Sequence, residues 1–185
     1  MKQSSLRSVY TSLFAALICA GSFFSIPIGP IHIVIQNALA ILAGLLLGPI
    51  QGAGAVGLFL LAGILGLPVF SGGQSGLAVL SGPTGGYLAG YFIGAFVAGH
   101  AMRRAKPGVH GSNIPIIISA ALAGFACIYI PGVLFLRQTL DISFSEAIAK
   151  GVLPFLPADA IKIVVLVPIT ARLRPVIHRY LAQHD

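Results

Sequence analysis

The sequence predicts an all-α integral membrane protein in which residues 1–185 form one domain, a compact bundle of six transmembrane helices with both termini cytoplasmic. Three observations carry that prediction. The 185 residues are 57% hydrophobic and only 8% charged, whereas soluble domains carry about 25% charged residues. Between Arg7 and Arg103 there is no Asp, Glu, Lys or Arg, so lipid rather than water has to cover the surface. The basic residues gather at the ends of apolar segments whose lengths suit a bilayer.

A helix crosses the hydrocarbon with about 20 residues, and six segments qualify: 8–26, 32–48, 51–67, 83–103, 113–136 and 153–172. The first follows Lys2 and Arg7 as a secretory leader would, but Ile18 stands where cleavage near Ala20-Gly21 wants a small residue, so it reads as a retained helix. Gly48-Pro49-Ile50-Gln51-Gly52 joins the second and third as a tight hairpin. Pro83 suits the first position of the fourth helix. Between the fifth and sixth, 137–151 alternates polar and apolar residues; it fits a short surface helix capped by Ser143 or Ser145 and fits a structured loop equally well.

Charge placement supports that count, because cytoplasmic loops are enriched in Lys and Arg. With the N-terminus inside, the inner segments hold Lys2, Arg7, Arg103, Arg104, Lys106, Arg172, Arg174 and Arg179, eight of the eleven basic residues. The outer loops hold Arg137 and Lys150 beside Asp141 and Glu146. A multi-pass membrane protein is implied, with the lipid bilayer as its surroundings. The net charge of +7 does not signal nucleic acid, since the basic residues flank hydrophobic spans and form no stripe. Cys19 and Cys127 lie in apolar runs without metal-ligand spacing and read as small core residues.

Glycines fall in packing registers. Gly82, Gly86, Gly90, Gly94 and Ala98 recur every four residues, as do Ala40, Gly44 and Gly48; such stripes let helices approach closely in lipid. The segment from Leu67 to Gly82 is long, uncharged, glycine-rich and semi-apolar. Irregular backbone near membrane depth is tolerated where it lines a cavity, so this loop is expected to fold over the outer mouth of the bundle as a lid.

Asp159 and Lys162 carry the chemistry. They sit three residues apart in the last apolar segment, on one helix face, and ionisable groups at membrane depth mark functional sites. Two readings stand: Asp159 caps the helix begun at Pro157 while Lys162 neutralises it, or the pair forms the polar base of an apolar pocket for a small solute with a polar head. The surroundings favour the second. Gly73-Gln74-Ser75-Gly76 matches the string around the nucleophile of rhomboid intramembrane proteases, but His100, the available base, lies at the far end of the fourth helix, about 25–30 Å away at helical rise. A proton-coupled carrier using Asp159 finds no support in internal repeats. Ala16 and Ala20, one turn apart on the first helix, serve either internal packing or a partner helix.

With those residues in view, the chain resembles the BioY family, the biotin-binding S components of energy-coupling-factor (ECF) transporters. The resemblance runs through Ile26-Pro-Ile-Gly-Pro30 to Gln36, Ala43-Gly-Leu-Leu-Leu-Gly-Pro49, Gly66-Leu-Pro-Val-Phe-Ser-Gly-Gly73, Gly82-Pro-Thr-Gly-Gly-Tyr-Leu88, and Pro154-Phe-Leu-Pro-Ala-Asp159 with Lys162. It implies a six-helix bundle opening outward under a loop between the third and fourth helices. It further implies biotin capture by Asp159 and Lys162, with Tyr87 and Gln74 helping to enclose the vitamin and His32, Gln36 or Asn37 supplying any polar contact from the second helix. Ala16 and Ala20 resemble the motif by which S components dock on a transmembrane coupling protein that works with two ATPases. The chain departs from the family at His32 and Val34, where Pro-x-Thr-x-x-Gln is usual, and at Ala158, where glycine is usual. No enzymatic activity and no cofactor are expected; without a Gly-x-x-x-x-Gly-Lys-Ser/Thr string, energy comes from partners or from a downhill gradient. A stand-alone transporter, or one for another vitamin, is the alternative.

Overall fold

The computed structural model describes residues 3–28, 31–105 and 113–182; of the residues used above, Lys2, Gly29, Pro30 and Lys106 lie outside this set. Each of the six apolar segments contains a helix: α1 (Gln3–Ala20), α2 (Gln36–Leu47), α3 (Pro49–Ile64), α5 (Gly85–Ala101), α6 (Ile114–Leu140) and α8 (Leu156–Ala182). Two shorter helices join them, α4 (Leu77–Ser81) and α7 (Phe144–Gly151).

The lengths are unequal. Among the described residues Ser5–Phe23 and Ile114–Leu140 are each long and apolar enough to cross a bilayer, and α7 with α8 makes a third such stretch across a 50° bend. With 12 and 16 residues, α2 and α3 reach only about 18 and 24 Å at the helical rise.

The shortening of α2 has a local cause. Where the sequence reading ran the first helix to residue 26 and began the second at 32, the chain forms an antiparallel hairpin, β1 (Ser25–Ile28) with β2 (Ile31–Val34), in the register Ser25 to Val34 and Pro27 to His32. Pro27 and Pro30 bar helix here, and Ile26, Ile28, Ile31, Ile33 and Val34 are β-branched residues that favour extended backbone. Between α2 and α3 the expected tight turn is present: Gly48 closes α2 at φ 87°, a conformation open to glycine, and Pro49 starts α3.

The two small-residue stripes lie where helices cross. A Cβ added to Gly90 would stand 2.7 Å from the Cα of Ile128, and one on Gly94 2.6 Å from the carbonyl oxygen of Gly124, so this stripe is the seam between α5 and α6. Ala98 is fully buried on the same line, whereas Gly82 precedes the helix and takes no part. Gly44 abuts the backbone of Ala95 on α5, and a Cβ on Gly52 would lie 2.5 Å from Gly44 Cα. Outside this core, large side chains such as Leu61, Phe92, Leu122, Val164 and Val165 stand exposed in mid-helix, an apolar surface far larger than soluble monomers leave open. The protein is a membrane protein.

Segment 137–151 resolves into the end of α6 and the surface helix α7. Ser143 Oγ accepts from the N–H of Glu146 at 3.2 Å while Glu146 Oε2 accepts from the N–H of Ser143 at 3.1 Å, a capping box. Hydrogen bonds from the backbone and hydroxyl of Ser143 hold the Glu146 carboxyl below its ordinary range. Both cysteines are free.

Candidate binding site

Asp159 is the fourth residue of α8, and Lys162 follows one turn later on the same side. Lys162 Nζ donates to Asp159 Oδ1 at 2.7 Å and to Asn37 Oδ1, on the first turn of α2, at 2.9 Å. Asn37 Nδ2 in turn donates to Asp159 Oδ1 at 3.1 Å. From α6 the hydroxyl of Tyr129 donates to Asp159 Oδ2 at 2.5 Å. Three helices therefore converge on one carboxylate, which is 3% exposed. A buried charge is costly unless paired and hydrogen-bonded, and here both oxygens are occupied. None of these partners is a backbone N–H of α8, so the side chain does not cap its helix.

This network underlies a cavity of about 530 Å³, open mouth included. Lys162 and Asn37 lie on its wall, with Asp159 behind them. Apolar faces come from Val34, Leu88, Ile128 and Phe155, and Tyr87, Tyr91 and Tyr129 form an aromatic side. The Tyr87 ring meets Tyr129 edge-on, centroids 6.4 Å apart, and its hydroxyl donates to Gly151 O at 2.9 Å. An acceptor and a donor at one end of an aromatic and aliphatic slot suit a small solute with an N–H and carbonyl head.

Gln36 also borders the cavity, but its amide nitrogen is committed to structure. Nε2 donates to Ile18 O at 3.0 Å and to Val69 O at 2.7 Å, tying α1 to the chain after α3. Gln74 does not line the cavity. It is exposed while its carbonyl accepts from Phe70 N at 3.0 Å, and Ser71 stands on the wall instead. Fully buried Phe70, edge-on to Phe59 at 5.5 Å, pins this loop onto the bundle. Ser75 precedes α4, whereas His100 ends α5 stacked on Phe96, so the two are not brought together. On α1, Ala16 and Ala20 are exposed while Phe14, Ala15 and Ile18 are buried; the alanines lie on the outer face and are not internal packing.

Sequence reading missed Tyr91 and Tyr129. Tyr91 was within reach of it, being four residues from Tyr87 and on the same helix face; an isolated tyrosine in an apolar segment gives no comparable signal for Tyr129.

The comparisons with known proteins fit this geometry. Residues 1–179 match the family model described as BioY family. The chain belongs to the BioY family. Relatives include the biotin transporter BioY of Thermotoga maritima, 36% identical over 90% of this chain and 94% of that protein. The biotin transporter BioY of Rhizobium etli is 38% identical over 85% of this chain and 87% of its own length. Among solved structures, the 2.1 Å crystal structure of the S-component for biotin from an ECF-type ABC transporter matches with a TM-score of 0.82 at 32% identity, covering 93% of this chain and 92% of that one. As a BioY-family fold, the bundle places its buried Asp–Lys pair, its aromatic wall and the 65–82 loop around one cavity.

Proposed function

We propose that this chain is the substrate-binding S component of a biotin uptake transporter, capturing the vitamin from the outer face and delivering it inward with an ECF energising module. The observation that carries the reading is the Asp159–Lys162–Asn37 network at the base of the cavity. Biotin's ureido ring presents two N–H donors and one carbonyl, to which a carboxylate, an ammonium and an amide are complementary. Its thioether ring and aliphatic tail suit the aromatic and aliphatic walls. The relatives named biotin transporters support the same substrate.

In this reading the single domain crosses the membrane six times with both termini cytoplasmic, as the basic residues argue. The short α2 and α3 are then completed by the hairpin and by the loop after α3. Ala16 and Ala20 form the smooth face on which a transmembrane coupling protein, itself driven by two ATPases, docks. The deciding experiment purifies the protein, identifies any co-purifying small molecule by mass spectrometry and titrates biotin by calorimetry. Stoichiometric biotin binding is expected; a protein that binds no biotin would sink the proposal.

A further inference from the structure

The cavity also carries polar groups, on β2 and the 65–82 loop, that the Asp159 network on α2, α6 and α8 does not use. His32, on β2, lines it, yet among the described residues neither ring nitrogen makes a hydrogen bond, and Nδ1 is buried without a partner. Ser71 also lines the cavity and makes no side-chain hydrogen bond among the described residues. The two are neighbours, since Gly72 approaches the ring closely enough that a Cβ there would lie 3.5 Å from His32 Nε2. Gln36 Oε1, the other unpartnered atom bordering the cavity, is buried nearby. Buried polar groups are otherwise nearly always satisfied. Nδ1 is closed off within the protein, so Nε2 is the nitrogen left to the cavity, and it has no protein partner among the described residues.

The position defines the chemistry. Asn37 holds the ureido end, and His32 lies five residues back along the chain, across a strand and a helix start. Resting on the biotin reading above, we infer that His32, aided by the Ser71 hydroxyl, receives the carboxylate at the far end of the ligand's aliphatic tail. Nε2–H and the hydroxyl are both donors, and hydrogen bonds to an ionised acceptor are the strong ones. The hairpin then acts as a specificity element. The Asp159 end selects the ring, and the His32 end selects an acidic tail over a neutral one.

The test compares biotin with its carboxamide, identical in the ring but uncharged in the tail, by calorimetry on the full chain. The wild type is expected to prefer biotin by about tenfold, the worth of one hydrogen bond to a charged group. His32→Ala should lower biotin affinity about tenfold and amide affinity by less than about threefold, with His32→Gln, which keeps a donor, in between. Retained amide binding reports that the variant is folded. Equal preference in wild type and His32→Ala, no preference in the wild type, or equal loss of both ligands overturns the assignment. A wild type that binds neither compound overturns the biotin reading itself, a distinguishable result.

Discussion

The hydroxyl of Tyr129 on α6 and the carboxylate of Asp159 on α8 are joined at 2.5 Å, on the oxygen that Lys162 and Asn37 leave free. The carboxylate is thereby fixed in orientation before any ligand arrives. Tyr129→Phe removes this bond but keeps the ring that packs on Tyr87. Biotin affinity should fall about ten- to hundredfold, as expected for a hydrogen bond to a charged group, and the bundle should lose about 1–3 kcal/mol of stability because one buried carboxylate oxygen is left unsatisfied. Wild-type affinity in the phenylalanine variant would show that the hydroxyl does not preorganise the site.

Asp159→Asn and Lys162→Ala should each weaken biotin binding at least about tenfold, measured by titration of the purified variants. Each also leaves its former partner buried and uncompensated, at a cost of about 3–5 kcal/mol for a pair of this kind. Replacing both together with Asn and Met should therefore restore part of the unfolding midpoint lost by either single change, while binding stays weakened. Additive losses of stability, or wild-type affinity in both single variants, would contradict this account.

That pair was legible because the sequence is so poor in charge: two ionisable residues one turn apart in an apolar segment have few neutral explanations. The glycine seam on α5 was equally legible, since a period of four in small residues is a direct record of helix contact. The hairpin was not read, although Pro27, Pro30 and the run of β-branched residues carry its signal, because overall hydropathy does not distinguish a hairpin from a helix end. Gln36 shows a deeper limit. A buried glutamine beside a pocket suggests ligand contact, yet its amide nitrogen bonds two carbonyls far apart in sequence, Ile18 and Val69, a pairing that only the assembled bundle brings about. The exposed Gln74 and the wall-lining Ser71 differ for a similar reason: the bridge between Phe70 and Gln74 sets which way the loop turns.

Two glycine substitutions separate packing from helix propensity. Gly90→Ala drives a methyl to 2.7 Å from Ile128 and should destabilise the bundle by about 1–3 kcal/mol. Gly57→Ala on α3 meets only Phe92 Cε2 at 3.6 Å, an ordinary contact. It should be neutral or gain up to about 1 kcal/mol from the better helix former. Thermal unfolding in detergent reads both, and equal effects would mean that the α5–α6 seam is looser than its geometry.

Ala16 and Ala20 provide the last prediction. Both are exposed on α1, while Ala15 next to them is 8% exposed and packed in the core. A smooth alanine face lets another helix approach closely, and a bulky side chain there blocks it without disturbing the interior. Ala16→Trp should keep wild-type biotin affinity and lose co-purification with the coupling protein, whereas Ala15→Trp should overpack the core and lower the unfolding midpoint. If Ala16→Trp loses biotin binding and co-purification together, the alanines support the fold rather than a partner. If it retains both, the docking surface lies on another face of the bundle.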